Sequence, residues 1–232
     1  HPQAAVITSV DPDHLDIYGT YEAVREAFAQ FAGQITPGGT LILKKGIELP
    51  LEQADIRRYT YHVTDSEADF HAENLRVDGG GYYTFDLVFP DRRIERCRLG
   101  IPGLVNVENC VAAAALVWSE GFVLDERMRE AIATFRGVQR RFDFWVNDPS
   151  VAGGTIYMDD YAHHPAELRA MLSSVRKMFP ERELTVIFQP HLYTRTRDFA
   201  PEFAEALSWR IGCGCCRSIR LESCRFLVWL RR

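Results

Sequence analysis

The stretch Asp159-Asp160-Tyr161-Ala162-His163-His164-Pro165 limits the folds open to this chain more than any other. It follows the β-branched and aromatic run Thr155-Ile156-Tyr157-Met158. It precedes Leu168, Met171, Leu172, Val175, Met178 and Phe179, apolar residues spaced as one face of a helix. The pattern predicts a buried strand, a polar turn and an amphipathic helix over 165–179. Two carboxylates, a phenol and two imidazoles then share one strand-to-helix turn, and such groups are costly to bury without partners. In open α/β sheets ligands bind at turns of this kind, at the carboxyl ends of strands. Helix capping accounts for Asp160 as the cap and for Pro165 in the first turn. It leaves the second Asp and both histidines unexplained, so the turn is read as a functional site.

A further strand, Leu184-Thr185-Val186-Ile187-Phe188, leads into Gln189-Pro190-His191-Leu192-Tyr193-Thr194-Arg195-Thr196-Arg197-Asp198, a second polar loop at a carboxyl end. Parallel strands bring their ends to one edge, so both polar segments are expected to line one crevice.

Upstream, Ala4 to Val10 is a largely apolar run that reads as a central parallel strand. It ends in Asp11-Pro12-Asp13-His14-Leu15-Asp16, three carboxylates around one imidazole. That set can hold a divalent cation, although a turn with Asx caps gives the same spacing. Thr20 is expected to cap a helix with the face Val24, Ala27, Phe28, Phe31 and Ile35. Pro37-Gly38-Gly39 then ends it before the strand Leu41-Ile42-Leu43, which makes a βαβ unit. From Tyr59 to Gly100 short alternating strands (61–63 and 82–88), with turns at Asp78-Gly79-Gly80-Gly81 and Pro90-Asp91, predict a small antiparallel insert.

Ile101-Pro102-Gly103 opens a helix whose buried face is read as Val107, Cys110, Val111, Ala114, Val117 and Trp118. Asn106 and Asn109 lie three apart, which places both amides on one side of its first turn. There they serve as caps or read the edge of a nucleobase. A second helix, 125–135, runs into Gly137-Val138-Gln139-Arg140-Arg141-Phe142, where paired guanidiniums follow a glycine at what reads as a domain junction. Phosphate binding and surface solvation compete as explanations.

Composition narrows the function classes. With 232 residues and 47% apolar content the chain can hold one large domain or two small ones around a real core. No apolar run approaches the length of a membrane span, and the N-terminus lacks the order of a signal peptide, so a cytosolic protein without membrane insertion is expected. A net charge of -5 provides no basic stripe for a phosphate backbone, which argues against nucleic acid as a partner. The chain starts with His1, from which an upstream portion is expected.

Five segments in order resemble the Mur ligase family: Ile7 to Asp16 with Tyr18-Gly19; Gly103-Leu104-Val105-Asn106-Val107-Glu108-Asn109; Gly137 to Phe142; Asp159 to Pro165; and Phe188 to Asp198. The double His and the Thr194-Arg195-Thr196 loop are similar to the alanine-adding branch. A murein tripeptide-recycling ligase and a non-catalytic nucleotide-binding or partner-binding module are the alternatives. The resemblance implies an α/β chain with a truncated central ATPase domain, a parallel sheet with a small antiparallel insert, over 1–141. A truncated Rossmann-like C-terminal domain follows over 142–208. It also implies ATP as co-substrate, Mg2+, and UDP-N-acetylmuramate and L-alanine as the joined substrates. Residue by residue, it assigns His14 to the magnesium ion, Asn106 and Asn109 to the adenine, Arg141 to ATP and Asp160 to the ribose side. Tyr161, His163 and Arg195 fall to the sugar-linked carboxylate and the incoming amine. Leu192 departs from the arginine common at its position.

No G-x-x-x-x-G-K-[ST] occurs in the 232 residues, and Lys44-Lys45-Gly46 lacks the glycines that turn backbone N–H groups toward phosphate. This chain by itself is therefore expected not to catalyse ligation. After Ser208 the composition changes, with four of the six Cys between 213 and 224 but no second half-site for zinc following them. Inserting one C after the Ser208 codon lets the tail read Leu-Ala-Asp-Arg-Val-Trp-Leu-Leu-Pro-Ile-Tyr-Pro-Ala-Arg-Glu, an apolar strand followed by a proline-flanked turn. Residues 209–232 are accordingly read as an out-of-frame tail.

Overall fold

The computed structural model describes residues 1–12, 15–52, 55–78, 80–122, 124–146, 154–191, 193–208, 212–215 and 226–231. The chain divides into two compact units. The first is His1–Arg76, Thr84–Leu99 and Asn106–Thr134; the second is Val77–Tyr83, Gly100–Val105 and Phe135–Arg232.

In the first unit, strands β1 (Ala4–Ile7), β2 (Thr40–Lys44) and β3 (Arg57–Tyr61) form a parallel sheet in the order β1-β2-β3. The run expected as a central strand over 4–10 is shorter, ends at Ile7 and occupies an edge of this sheet. Its side chains alternate between buried Ala5 and Ile7 and half-buried Ala4 and Val6, as an edge strand covered on one face does. A single helical turn, α1 (Leu15–Tyr18), precedes α2 (Tyr21–Ala32). Thr20 caps α2 as expected, its Oγ1 accepting the N–H of Ala23 at 3.2 Å. Val24 and Ala32 are buried and Phe28 packs on the same core, which also holds Ile7, Ile35 and Leu41. Phe31, expected on that face, is 42% exposed, and Ile35 reaches the core from beyond the helix end. The helix stops at Gly33, so its periodicity does not extend to Ile35. Gly39 then passes too close for any side chain: an added Cβ would lie 2.6 Å from Ile35 Cγ2 and 2.8 Å from the Thr36 carbonyl.

The second sheet has the order β4 (His71–Val77), β5 (Tyr83–Val88), β6 (Arg93–Arg98), with β5 and β6 antiparallel. This is the small insert, but it starts later than expected. Of the segment read as its first strand, 61–63, Tyr61 instead ends β3, where it is register partner of Lys44 in the parallel sheet. Alternation of apolar and polar residues reports which face of a strand is buried and not the direction of its neighbour. Tyr59, Phe70, Phe89 and Trp118 pack edge to face in this unit, with centroids 5.3–6.0 Å apart. The helices α3 (Leu104–Ser119) and α4 (Asp125–Thr134) follow. Val107, Val111 and Ala114 of α3 are buried as expected, whereas Val117 is exposed.

The second unit carries a five-stranded sheet made of β7 (Asp143–Val146), β8 (Ile156–Asp160), β9 (Glu183–Phe188), β10 (Gly212–Cys215) and β11 (Phe226–Arg231). Their order is β10-β9-β11-β8-β7. Strand β11 is antiparallel to both β8 and β9, so those two run parallel. Phe226 is register partner of both Asp160 and Phe188, which brings the carboxyl ends of β8 and β9 to one level. The two polar segments therefore leave the same edge of the sheet. Helix α5 (Pro165–Met178) buries Leu168, Met171, Leu172, Val175 and Met178, each worth about 1.5–3 kcal/mol of apolar burial. Two short helices, α6 (Tyr193–Asp198) and α7 (Ala200–Leu207), complete the unit, with Phe203 and Ala206 in the same core.

Candidate functional site

The carboxyl end of β8 collects a cluster of ionisable groups. Asp159 and Asp160 are not in the turn, as expected, but are the last two residues of the strand, and both are buried. The strand continues past its apolar run because donors meet the carboxylates. Asp160 Oδ2 accepts the N–H of Phe142 at 2.9 Å and its Oδ1 accepts the N–H of Ala162 at 2.8 Å. Burial nevertheless pushes its carboxyl above the usual range, against the pull of these N–H groups and of Arg141.

Asp160 is therefore not the helix cap. His164 is: its Nδ1 accepts the N–H of Ala166 at 3.3 Å, and Glu167 Oε2 reaches back to the N–H of His164 at 3.3 Å, closing a capping box. The same Glu167 oxygen accepts the N–H of His163 at 2.9 Å. Burial would raise the Glu167 carboxyl, but the His163 N–H, the His163 and Arg141 charges and the His164 N–H outweigh it and hold the carboxyl below its usual range. Pro165 stands in the first turn, as expected.

The adjacent histidines carry opposite roles. His163 Nδ1 lies 2.9 Å from the Tyr161 carbonyl, so it donates there. His164 Nδ1 accepts from a backbone N–H, which places its proton on Nε2. The ring of His163 meets Tyr161 edge to face at 5.2 Å, and that of His164 meets Phe199 at 5.1 Å.

Over this turn lies the segment Gly137 to Phe142, with φ of 77° at Gly137, 61° at Arg140 and 50° at Phe142. Arg140 and Phe142 occupy a left-handed conformation that costs a side-chain-bearing residue roughly 1 kcal/mol or more. The strand end holds them there. Besides the Asp160–Phe142 bond, the Arg140 carbonyl accepts the N–H of Tyr161 at 2.7 Å. The Arg140 guanidinium sits 4.7 Å from the Tyr161 ring centroid, with its Nε 3.6 Å from Asp159 Oδ2. Arg141 lies 3.5 Å from Glu167 Oε1 and 5.9 Å from the same ring. Gly103 (φ 98°) lies against this segment, where a Cβ would meet the Phe142 ring at 3.1 Å.

Thus Arg141, Asp160, Tyr161 and His163 stand in one cluster. Arg195, also of the second unit, is buried in α6, a helix formed where a loop over 189–198 was expected. Leu192 lies outside the described residues, and so does His14, the expected magnesium ligand. Among the described residues no group of three or more His, Cys, Asp or Glu side chains is placed to hold a metal ion.

In the first unit Asn106 and Asn109 lie on the first turns of α3, but Asn106 is buried and Asn109 exposed, so the two amides do not share one solvent face. Helical spacing sets their angle around the axis, and the packing of α3 decides how much of that arc is covered. Between them, Glu108 pairs with Lys44 at 2.9 Å, at the carboxyl end of β2. Burial, and then the Glu108 charge, raise the neighbouring Tyr61 phenol far above its usual range. Sequence reasoning gave no role to Glu108 or to Glu167. For Glu167 a signal existed, a capping residue three positions before a Glu, hidden because the cap is His.

The family model for the Mur ligase middle domain matches residues 1–117. The chain belongs to the Mur ligase family. The model for the Mur ligase glutamate ligase domain matches residues 140–212. Among curated relatives, the UDP-N-acetylmuramate–L-alanine ligase of Parabacteroides distasonis is 53% identical over 208 residues, 89% of this chain and 44% of that protein. The ligase of the same name from Porphyromonas gingivalis is 42% identical over 209 residues, with the same coverage. This Mur ligase chain thus spans less than half the length of the curated relatives it matches. Among solved structures, the UDP-N-acetylmuramate-alanine ligase of Thermotoga maritima superposes with a TM-score of 0.67 at 25% identity, over 91% of this chain and 50% of that one. The MurF ligase of Thermotoga maritima in complex with ADP shares the fold, with a TM-score of 0.73 at 17% identity over 94% of this chain and 49% of that one. Among the described residues no helix is long and apolar enough to cross a membrane.

Proposed function

We propose that this chain is a segment of an ATP-dependent ligase that joins L-alanine to UDP-N-acetylmuramate in peptidoglycan synthesis. The observation that carries this reading is the 53% identity, across 89% of the chain, to a ligase of that name. The chemistry runs in two steps. A carboxylate oxygen of the sugar-linked acid attacks the γ-phosphorus of ATP, ADP leaves, and an acyl phosphate forms. The alanine nitrogen then attacks the acyl carbon, inorganic phosphate leaves with the bonding pair, and the nitrogen loses a proton to form the amide. Charge builds on phosphoryl oxygens in the first step, and a fixed guanidinium offsets it at little reorganisation cost.

In this reading Asn106 and Asn109 serve the adenine, Arg141 the phosphates and Asp160 the ribose side. Tyr161, His163 and Arg195 orient the carboxylate and the amine, and Mg2+ is held with the help of His14. The domains run over 1–141 and 142–208, and residues 209–232 are an out-of-frame tail. Resequencing that finds no lost base after the Ser208 codon removes that last assignment.

The test is a ligation assay on two proteins, the 232-residue chain and the full-length protein that contains it, each with ATP, UDP-N-acetylmuramate and L-alanine. Product formation by the full-length protein and none by the shorter chain is the expected result. A full-length protein that accepts only a tripeptide as the incoming group overturns the alanine assignment.

A further inference from the structure

Asp159 is the buried acid that capping left unexplained and that the proposed reaction does not use. It is 3% exposed. A carboxylate so placed needs partners, and Arg140 presents its Nε to Asp159 Oδ2 at 3.6 Å. The same guanidinium covers the face of Tyr161 at 4.7 Å from the ring centroid, within the range of a cation–π contact. The backbone ties the same two residues together, since the Arg140 carbonyl accepts the Tyr161 N–H at 2.7 Å. Arg140 holds both positions in a left-handed conformation, φ 61°, unusual for a residue with a side chain. The His163 ring meets the Tyr161 ring edge to face with centroids 5.2 Å apart, and Arg141 stands 5.9 Å from the Tyr161 centroid. The phenol is 36% exposed, so the side chain is clamped at its ring while part of its surface stays open.

We infer that Asp159 and Arg140 are positioning residues for Tyr161: the buried carboxylate orients the guanidinium, and the guanidinium fixes the plane of the ring that meets the ligated substrates. The inference rests on the proposed function, which gives Tyr161 its substrate role. Arg140 touches neither reacting atoms nor nucleotide in this scheme. Its planar, delocalised cation is what matters, so Lys is not an equivalent.

The experiment is steady-state kinetics of the full-length protein with ATP, UDP-N-acetylmuramate and L-alanine varied in turn, on Arg140→Lys, Asp159→Asn, Tyr161→Ala and the double variant Arg140→Lys with Tyr161→Ala. Arg140→Lys keeps the charge beside Asp159 and loses the flat stack. It is expected to raise KM for UDP-N-acetylmuramate or L-alanine about three- to tenfold while KM for ATP stays within about twofold. Asp159→Asn is expected to move the same KM. In the double variant the Arg140→Lys effect is expected to vanish, because the ring it acts on is gone. A merely structural role lowers thermal stability or kcat without singling out one KM, and that outcome overturns the inference. So does a Tyr161→Ala effect on substrate KM with Arg140→Lys silent, which leaves the parent reading standing. A full-length protein that forms no alanine adduct overturns both.

Discussion

Asp160 Oδ2 accepts the backbone N–H of Phe142 at 2.9 Å across 18 residues of chain, and so ties the end of β8 to a left-handed residue. The other oxygen of the same carboxylate takes the N–H of Ala162. Removing it leaves two buried donors without acceptors. Asp160→Ala is expected to destabilise the protein by about 2–4 kcal/mol, and urea unfolding reads it directly. Asp160→Asn retains one acceptor but turns an N–H donor toward another, so it is expected to recover less than half of that loss. Full recovery would show that the carboxylate does not hold the 140–142 segment.

Glu167 has a pH signature. Its carboxyl is held below the 4.5 of an unperturbed Glu, so the folded state binds the proton more weakly than the unfolded chain does. Its stabilising contribution is therefore complete above about pH 4.5 and is lost as pH falls through the lower folded value. Glu167→Gln is expected to flatten the stability profile in that acid window and to cost about 1 kcal/mol at neutral pH, through the weakened capping box. Thermal unfolding from pH 3 to 7 measures both; an unchanged acid slope would remove the assignment.

The unequal exposure of the two asparagines separates their phenotypes. Asn109 is exposed, so under the proposed function Asn109→Ala is expected to weaken ATP binding by the full-length protein about five- to tenfold, a lost hydrogen bond's worth, with little change in melting temperature. Asn106 is buried, and Asn106→Ala is expected to lower both. Titration calorimetry with ATP beside a melting curve distinguishes them. An Asn109 variant that binds ATP normally argues against its contact with adenine.

In the insert, Asp86 accepts from Asn74 Nδ2 at 2.7 Å and from the Arg96 N–H at 2.8 Å. Both partners are left-handed, with φ of 53° and 57°, and the β5–β6 register shifts beside Asp86. Asp86→Ala is expected to cost about 2–3 kcal/mol. Asn74→Gly is expected to be milder because glycine carries no penalty at that φ. Equal losses from the two would argue that the contact, and not the backbone conformation, carries the stability.

Legibility in the sequence followed the reach of each signal. The α5 face was readable because Leu168, Met171, Leu172 and Val175 repeat at helical spacing and all find the core. The Thr20 cap was readable for the same local reason. Tyr59 to Tyr61 was misplaced in the insert because alternation carries no record of strand direction. The true cap of α5 was missed because imidazole is an uncommon cap, and Asp160 offered a commoner one. The cluster's membership, Arg141, Asp160, Tyr161 and His163, was legible from motif order, whereas its internal bonding was not.

The chain's residues by themselves determined the α/β class, the helix faces and the identity of the polar segments, because those follow from periodicity and from chemistry local to a few turns. Tertiary structure decided which carboxylate is spent on backbone donors, which arginine covers Tyr161 and which asparagine stays exposed. Those outcomes depend on groups brought together from distant positions, Phe142 with Asp160 and Arg140 with Asp159. Burial there changes the free energy of a charge by more than any local propensity does.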